Sequence, residues 1–272
     1  MPGLFTISVV SHHHHERVQT LLAQLAKAPA GLFDKIIVTL NVPEKRPDWD
    51  DPCLQVICNE KPRGFGSNHN HAFSLCRSRY FCVINPDIDL TECFEAGKPG
   101  DGASAPDASY RVKTIFDTLA NTLLAPDLPK VGVAYPAQCR ADGSKLNYAR
   151  ALVTPAALLA RKIKHFAGFA TKNHSAAPDW ASGAFLVFSS DVFAALKGFD
   201  ARYFMYCEDV DICLRTQLLG YALGAAPVSV THHAQQRTLK SVQHLAWHVR
   251  SLLRLWNSDA YHQYMAIHKN KK

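Results

Sequence analysis

Residues able to do chemistry cluster in a few short stretches of this chain. Asn85-Pro86-Asp87-Ile88-Asp89 follows the apolar run Tyr80 to Ile84. Extended backbone there puts Asp87 and Asp89 on one side by the two-residue strand period, while Pro86 ends further pairing. Paired carboxylates repel unless a cation neutralises them, and a hard divalent ion held this way completes its shell with phosphate oxygens. An isolated pair of this kind is more often a polar turn; the strand-end position is what favours the metal. Thr231-His232-His233 follows another apolar run, Val228 to Val230. A strand-end histidine is commonly structural, yet imidazole suits transition-type divalent ions and an acid pair is already at hand.

Two further stretches open helices. Lys61-Pro62-Arg63-Gly64-Phe65-Gly66-Ser67-Asn68 combines glycines, which allow close backbone approach, with Arg63, which can fork onto phosphate. Free N–H groups at the following helix start favour anions. Tyr206-Cys207-Glu208-Asp209-Val210-Asp211 opens a helix with three acids. Acids at a helix N-terminus are stabilising in themselves, and Asp211 has Arg215 one turn on. Two adjacent acids, Glu208 and Asp209, exceed what capping needs. The run His12 to His15, between a strand and a helix, reads as a polar loop rather than a metal cluster or a tag.

The elements that must position these residues alternate between strand and helix. Leu4 to Val10, Lys35 to Leu40, Leu54 to Cys58, Tyr80 to Ile84 and Ala184 to Phe188 are short apolar strand runs. Val18, Leu21, Leu22 and Leu25 recur at helical spacing, and helices are expected over Asn70 to Arg77, Asp191 to Leu196 and Glu208 to Leu219. Such alternation predicts an α/β fold with a largely parallel, doubly wound sheet, whose ligands bind beyond the carboxyl ends of the strands. Glu95 to Ser109 and Lys172 to Asp179 read as loops. Leu239 to Trp256 carries an apolar stripe, Leu239, Val242, Leu245, Ala246, Val249, Leu252, Leu253 and Trp256, with basic residues largely elsewhere. This helix is expected to cover the core or to attach to an anionic membrane surface, apart from the catalytic centre.

With 272 residues and 47% hydrophobic content, the chain can bury a continuous core, which excludes wholesale disorder. No apolar run approaches the roughly 20 residues of a membrane-spanning helix. Met1 to Ser11 lacks the features of a signal peptide, so a cytoplasmic protein is expected. The cysteines form no Cys-x-x-Cys pair and several sit in apolar runs, which predicts reduced, structural thiols. A net charge of +7 calls for an anionic partner, but no zinc pattern or recognition-helix signature points to nucleic acid.

Together these residues resemble the family 2 glycosyltransferases, inverting enzymes of the GT-A fold, and in particular the bacterial branch that includes rhamnosyltransferases. The similar stretches are Ile7 to Ser11, Arg63 to Gly66 with Asn70, Asn85 to Asp87, Gly183 to Phe185 and, above all, Gly198 to Asp211. The resemblance implies a Rossmann-like, mostly parallel sheet flanked by helices, a catalytic domain over 1–235 and a basic amphipathic helical extension over 236–272. It implies donor-site positions at Ser11, His12, Asn41, Arg63, Gly64, Phe65, Gly66, Asn70, Asn85 and Asp87. A Mn²⁺ or Mg²⁺ ion is implied on Asp87 and His232, assisted by Asp89, with His233 a less direct match. Asp209 is implied as the base with Glu208 beside it, and Trp180, Gly183 and Ala184 as acceptor contacts.

The implied reaction moves a sugar from a UDP- or dTDP-sugar donor to a hydroxyl of a glycan or lipid-linked glycan acceptor, in bacterial surface polysaccharide synthesis. Its implied place is the cytoplasmic face of the inner membrane, through a peripheral contact. Leu40-Asn41 stands where many relatives carry Asp-Asn, and Asn85 replaces the first acid of a full Asp-x-Asp motif, so fewer carboxylates would hold the metal. A non-catalytic GT-A-like partner binding glycan or membrane would not need the acidic pair. A nucleotidyltransferase would need a glycine-rich, lysine-containing loop after the first strand, where this chain has Ser11 to His15.

Overall fold

The computed structural model of the chain describes residues 3–91, 107–126, 129–155, 158, 178–233 and 242–269. Near-continuous apolar runs become interior strands because both of their faces are covered. Strand β1 (Phe5–Ser11) is buried along almost its whole length, and α1 (His15–Leu25) packs back with Val18, Leu21, Leu22 and Leu25. There follow β2 (Phe33–Leu40), β3 (Leu54–Cys58), α2 (Phe65–Phe73), β4 (Tyr80–Ile84), β5 (Ile88–Asp89), α3 (Ala108–Leu124), β6 (Val131–Cys139), β7 (Ala149–Arg150) and β8 (Trp180–Ala181). The chain continues through β9 (Phe185–Ser189), α4 (Ser190–Ala195), α5 (Glu208–Leu218), β10 (Ala222–His232), α6 (Val242–Trp256) and α7 (Asp259–Lys269).

The main sheet has eight strands in the order β3-β2-β1-β4-β9-β6-β10-β5. Only β9 and β5 run against the others. Because β9 is reversed, its amino end meets the carboxyl end of β4, with Phe185 opposite Ile84. This one reversal carries Gly183 and Ala184 to the ligand-binding edge of the sheet. The alternating side chains of β4 feed two cores: Tyr80, Cys82 and Ile84 on one face, and Phe81 and Val83 on the other.

Helix α2 begins at Phe65 rather than Asn70, so the glycine pair caps and enters the helix instead of preceding it. Of the two expected loops, Glu95 to Ser109 and Lys172 to Asp179, residues 95–106 and 172–177 lie outside the described residues, while Ala108 and Ser109 already belong to α3. Leu239 also lies outside them. The described cysteines are all free thiols. Among the described residues no helix is long and apolar enough to cross a membrane.

The C-terminal helices are not a separate stripe laid on the surface. Leu255, Tyr261 and Tyr264 are buried in the core cluster that holds Phe199, Tyr203 and Ile212. Helix α6 turns a mixed face inward, with Ser251 donating to the Met205 carbonyl and Tyr206 Oη bonded to His244 Nδ1. Val242, Leu245, Val249 and Leu253 remain exposed. The expected stripe is thus split: Leu252 and Trp256 pack partly buried against this core, while the exposed four face outward because the loop Phe204 to Tyr206 presents an aromatic and polar surface.

Candidate active site

The carboxyl edge of the sheet opens into a cleft of about 510 Å³, a size typical of small-molecule sites. One wall carries His12, His14, Arg17, Asn41, Arg63, Asn85 and Asp87; the other carries Ser182, Gly183, Ala184, Glu208 and Asp209. Gln243, His244 and Trp247 of α6 close the rim, so the C-terminal helix belongs to the centre it was expected to avoid.

Asp87 lies just beyond the end of β4 and faces two side chains from distant elements, Arg17 and His232. Arg17 Nη1 lies 3.4 Å from its Oδ2, and His232 Nε2 lies 3.3 Å from its Oδ1. Burial alone would raise this carboxyl, but the neighbouring His232 and the charge of Arg17 hold it below its ordinary value. His232 is aimed by Gln138, whose Oε1 is 2.9 Å from Nδ1. With Nδ1 donating to Gln138, Nε2 needs a proton or a cation between itself and the facing carboxylate. Asp87 Oδ1 is buried without a hydrogen bond. An orphaned acceptor beside an oriented imidazole fits a divalent ion that takes its remaining ligands from diphosphate oxygens. Among the described residues there is no cluster of three or more metal-ligating side chains.

Glu208 and Asp209 open α5 after a backbone in an uncommon conformation: Tyr206 and Cys207 have φ of 73° and 64°. Non-glycine residues at positive φ cost energy and persist where the surroundings enforce them, often at functional sites. The Asp209 carboxylate accepts from the backbone N–H of Gly183 at 3.1 Å and of Val210 at 2.9 Å. Glycine at 183 lets the two meet closely, since a Cβ there would lie 3.2 Å from Asp209 Cβ and push it back by a few tenths of an ångström. Burial raises both carboxyls, and for Glu208 the adjacent Asp209 charge raises it further, to about 8. Like charges this close do not both ionise. The two donors on Asp209 favour its charged form, whereas Glu208 Oε2 is buried without a partner. The proton therefore resides on Glu208 and the charge on Asp209.

No family model matches the chain. Over 80 residues it is 36% identical to "Rhamnosyltransferase WbbL" of Escherichia coli, covering 28% of this chain and 30% of that protein. Over 74 residues it is 39% identical to "N-acetylglucosaminyl-diphospho-decaprenol L-rhamnosyltransferase" of Mycobacterium tuberculosis, covering 26% of this chain and 24% of that one. The matched stretches thus span under a third of either relative. In three dimensions the chain superposes on the mannosyltransferase PcManGT of Pyrobaculum calidifontis, solved with GDP-Man and Mn²⁺. The TM-score is 0.52 at 14% identity, over 93% of this chain and 65% of that one. The fold is that of the GT-A glycosyltransferases.

Several residues expected at the donor site do other work within this GT-A fold. Asn70 bonds both backbone groups of Phe199, clamping α2 to the 198–199 turn. Gly64 and Gly66 admit the backbone of Tyr203 and Phe204 and the ring of Phe199, and Phe65 N–H donates to the Phe204 carbonyl. The Phe65 N–H is therefore taken by protein, while Arg63, Phe65 and Asn68 still line the cleft. Ser11 donates to Glu44, and Asn41 joins the β2 end to the Arg63 backbone with help from Asn59. Asp89 Oδ1 accepts from Gln24 and from the backbone and hydroxyl of Thr91, off the cleft. The His233 ring turns toward Asp89, with Nε2 3.9 Å from Oδ2, while its backbone N–H donates to the Asp87 carbonyl at 2.9 Å. Trp180 is buried under Arg150 and donates to the Ala151 carbonyl, whereas Gly183 and Ala184 do line the cleft.

Sequence reasoning did not anticipate Arg17, Gln138 or the α6 trio Gln243, His244 and Trp247. Arg17 had a weak signal, a basic residue in the first turn of a helix where charge complementarity favours acids. Gln138 had another, a polar residue near the end of an apolar run. Neither signal names a partner, because each partner lies on another strand.

Proposed function

We propose that this chain transfers a sugar from a nucleoside diphosphate donor to a hydroxyl of an acceptor glycan, inverting the anomeric carbon. The carrying observation is Asp209, a half-buried carboxylate held by two backbone N–H groups in the same cleft as the Asp87–His232 pair. Asp209 accepts the acceptor hydroxyl proton as the oxygen attacks the anomeric carbon on the face opposite the diphosphate. The bond from that carbon to the diphosphate breaks, and its electron pair leaves with the nucleotide. General-base help of this kind is worth about 10²–10⁴-fold. Protonated Glu208 can donate a hydrogen bond to the acceptor and orient it.

Asp87 and His232 would hold Mn²⁺ or Mg²⁺, and the imidazole favours Mn²⁺. The ion would neutralise charge on the departing diphosphate. Residues 1–235 form the catalytic unit in this reading, and 236–272 complete its acceptor side. Similarity to rhamnosyltransferases supports a UDP- or dTDP-deoxysugar donor, a glycan or lipid-linked glycan acceptor, and a role in bacterial surface polysaccharide synthesis. The exposed aliphatic face of α6 supports peripheral contact with the cytoplasmic face of the inner membrane.

The test is a thermal-shift series with UDP- and dTDP-sugars, with and without Mn²⁺. A donor at one hundred times its dissociation constant stabilises the fold by about 2.7 kcal/mol. Stabilisation by one nucleotide class, dependent on the cation, is expected; no response to any donor would contradict the proposal.

A further inference from the structure

Behind the aromatic pair Phe204 and Trp247, whose ring centroids are 4.9 Å apart, lies a second pocket of about 340 Å³. Both rings border it and the cleft alike, so the two spaces share a wall. Arg202, Arg250 and Arg254 line the second pocket and no acidic side chain does. Arg202 is forked onto Asp200, which lies outside the lining, with Nη2 to Oδ2 at 2.6 Å. Arg254 donates to the Arg202 carbonyl and sits over the Tyr203 ring. Arg250 has no hydrogen bond or ion pair among the described residues. Guanidinium groups converging on a concavity match phosphate geometry, and an apolar wall strengthens the attraction.

Resting on the transferase reading, we infer that this pocket is an anion subsite for the acceptor, taking the phosphate or diphosphate that joins the glycan to its hydrocarbon carrier. The donor's own diphosphate is accounted for at Asp87, on the opposite wall of the cleft. Along α6, Gln243, His244 and Trp247 line the cleft, and Arg250 and Arg254 follow one and two turns beyond Trp247, roughly 5–10 Å along the axis. By the helical period, the exposed Val242, Leu245, Val249 and Leu253 lie beside the arginine face and away from the buried one. An acceptor laid along this helix meets the catalytic acids, an aromatic wall and then cationic groups, with the exposed apolar surface flanking that path on the next face of the helix. A carrier-linked glycan offers the matching groups: sugar at the acids, phosphate at the arginines and hydrocarbon on the apolar flank.

The test uses the full chain and three probes, geranyl diphosphate, geraniol and inorganic pyrophosphate, titrated by calorimetry against wild type, Arg250→Gln and Arg250→Gln/Arg254→Gln. Geranyl diphosphate should bind more tightly than either other probe and weaken at least tenfold in the double variant. Arg250→Gln alone, which removes no internal contact, should show part of the loss and guards against misfolding. Equal binding of pyrophosphate would indicate a site for free anions, and unchanged affinity in both variants would place the probe elsewhere; either overturns the inference. Transfer assays separate this from the parent reading. The wild type should prefer a prenyl-diphosphate-linked glycan to the free glycan by at least tenfold, and the double variant should lose that preference through KM. Transfer that ignores the arginines defeats the subsite alone; no transfer to any acceptor, with arginine-dependent probe binding intact, defeats the transferase reading.

Discussion

The backbone N–H of Gly183 donates to Oδ2 of Asp209 at 3.1 Å, tying the amino end of β9 to the first turn of α5. The contact exists because β9 is antiparallel and because residue 183 has no side chain to hold Asp209 away. Gly183→Ala would put a Cβ 3.2 Å from Asp209 Cβ and 3.5 Å from Phe65 Cε1. Since misplacing a reacting group by about 1 Å costs on the order of 10²-fold, the few tenths demanded here should lower kcat by roughly tenfold. Steady-state kinetics beside a melting curve checks this, with the loss expected in kcat and little change in Tm.

Glu208 supplies a pH signature of folding. Its pKa in the folded protein is raised by burial and then by the Asp209 charge, so the folded state binds the proton more tightly than the unfolded chain. Its contribution to stability is full below the ordinary carboxyl range and is lost as pH rises through about 8. Wild-type Tm should therefore fall between roughly pH 5 and 9 more steeply than that of Glu208→Gln, which keeps the shape and cannot ionise. Parallel slopes for the two proteins would show that Glu208 is not the group responsible.

Gln138 is expected to act through His232 and not by touching the donor. Removing a partner that orients a ligating histidine typically costs about 10–100-fold in metal affinity. Gln138→Leu should raise the Mn²⁺ concentration needed for donor binding by that factor, while Asp87→Ala should abolish the Mn²⁺ dependence. Unaltered Mn²⁺ titrations in both variants would remove the metal from the Asp87–His232 pair.

The C-terminal helices should be inseparable from the fold. Leu255 is 1% exposed and packs in the core cluster with Tyr203 and Ile212. Leu255→Ala is expected to cost about 2–5 kcal/mol in chemical denaturation. Truncation after Gln236 should leave an aggregating remnant, because it uncovers the surface that Leu255, Tyr261 and Tyr264 bury.

What could be read locally was read well. Strands β3 and β4 have the limits their apolar runs suggest, and Glu208 opens α5 as its acidic start implies. Helix α3 was missed although Val112, Ile115, Phe116 and Leu119 recur at helical spacing, and β6 was missed where Pro136 breaks the strand pattern. The rest is tertiary. No local pattern reveals that β9 inserts antiparallel between β4 and β6, yet that insertion delivers Gly183 to Asp209. The period of α6 correctly identifies an aliphatic stripe, but the loop it meets prefers His244, His248 and Ser251. Asp87 and Asp89 share a strand period, yet the Thr91 turn and Gln24 draw Asp89 away.

The most direct measurement compares Asp209→Asn with wild type in initial-rate transfer and donor binding. Asparagine can still accept from the Gly183 and Val210 N–H groups, so the fold and the donor site should survive, but the amide cannot take the acceptor proton. The account predicts a kcat lower by about 10²–10⁴-fold with donor affinity and Tm nearly unchanged. Near-normal turnover by Asp209→Asn would contradict it, and a dead Glu208→Gln alongside would move the base to Glu208.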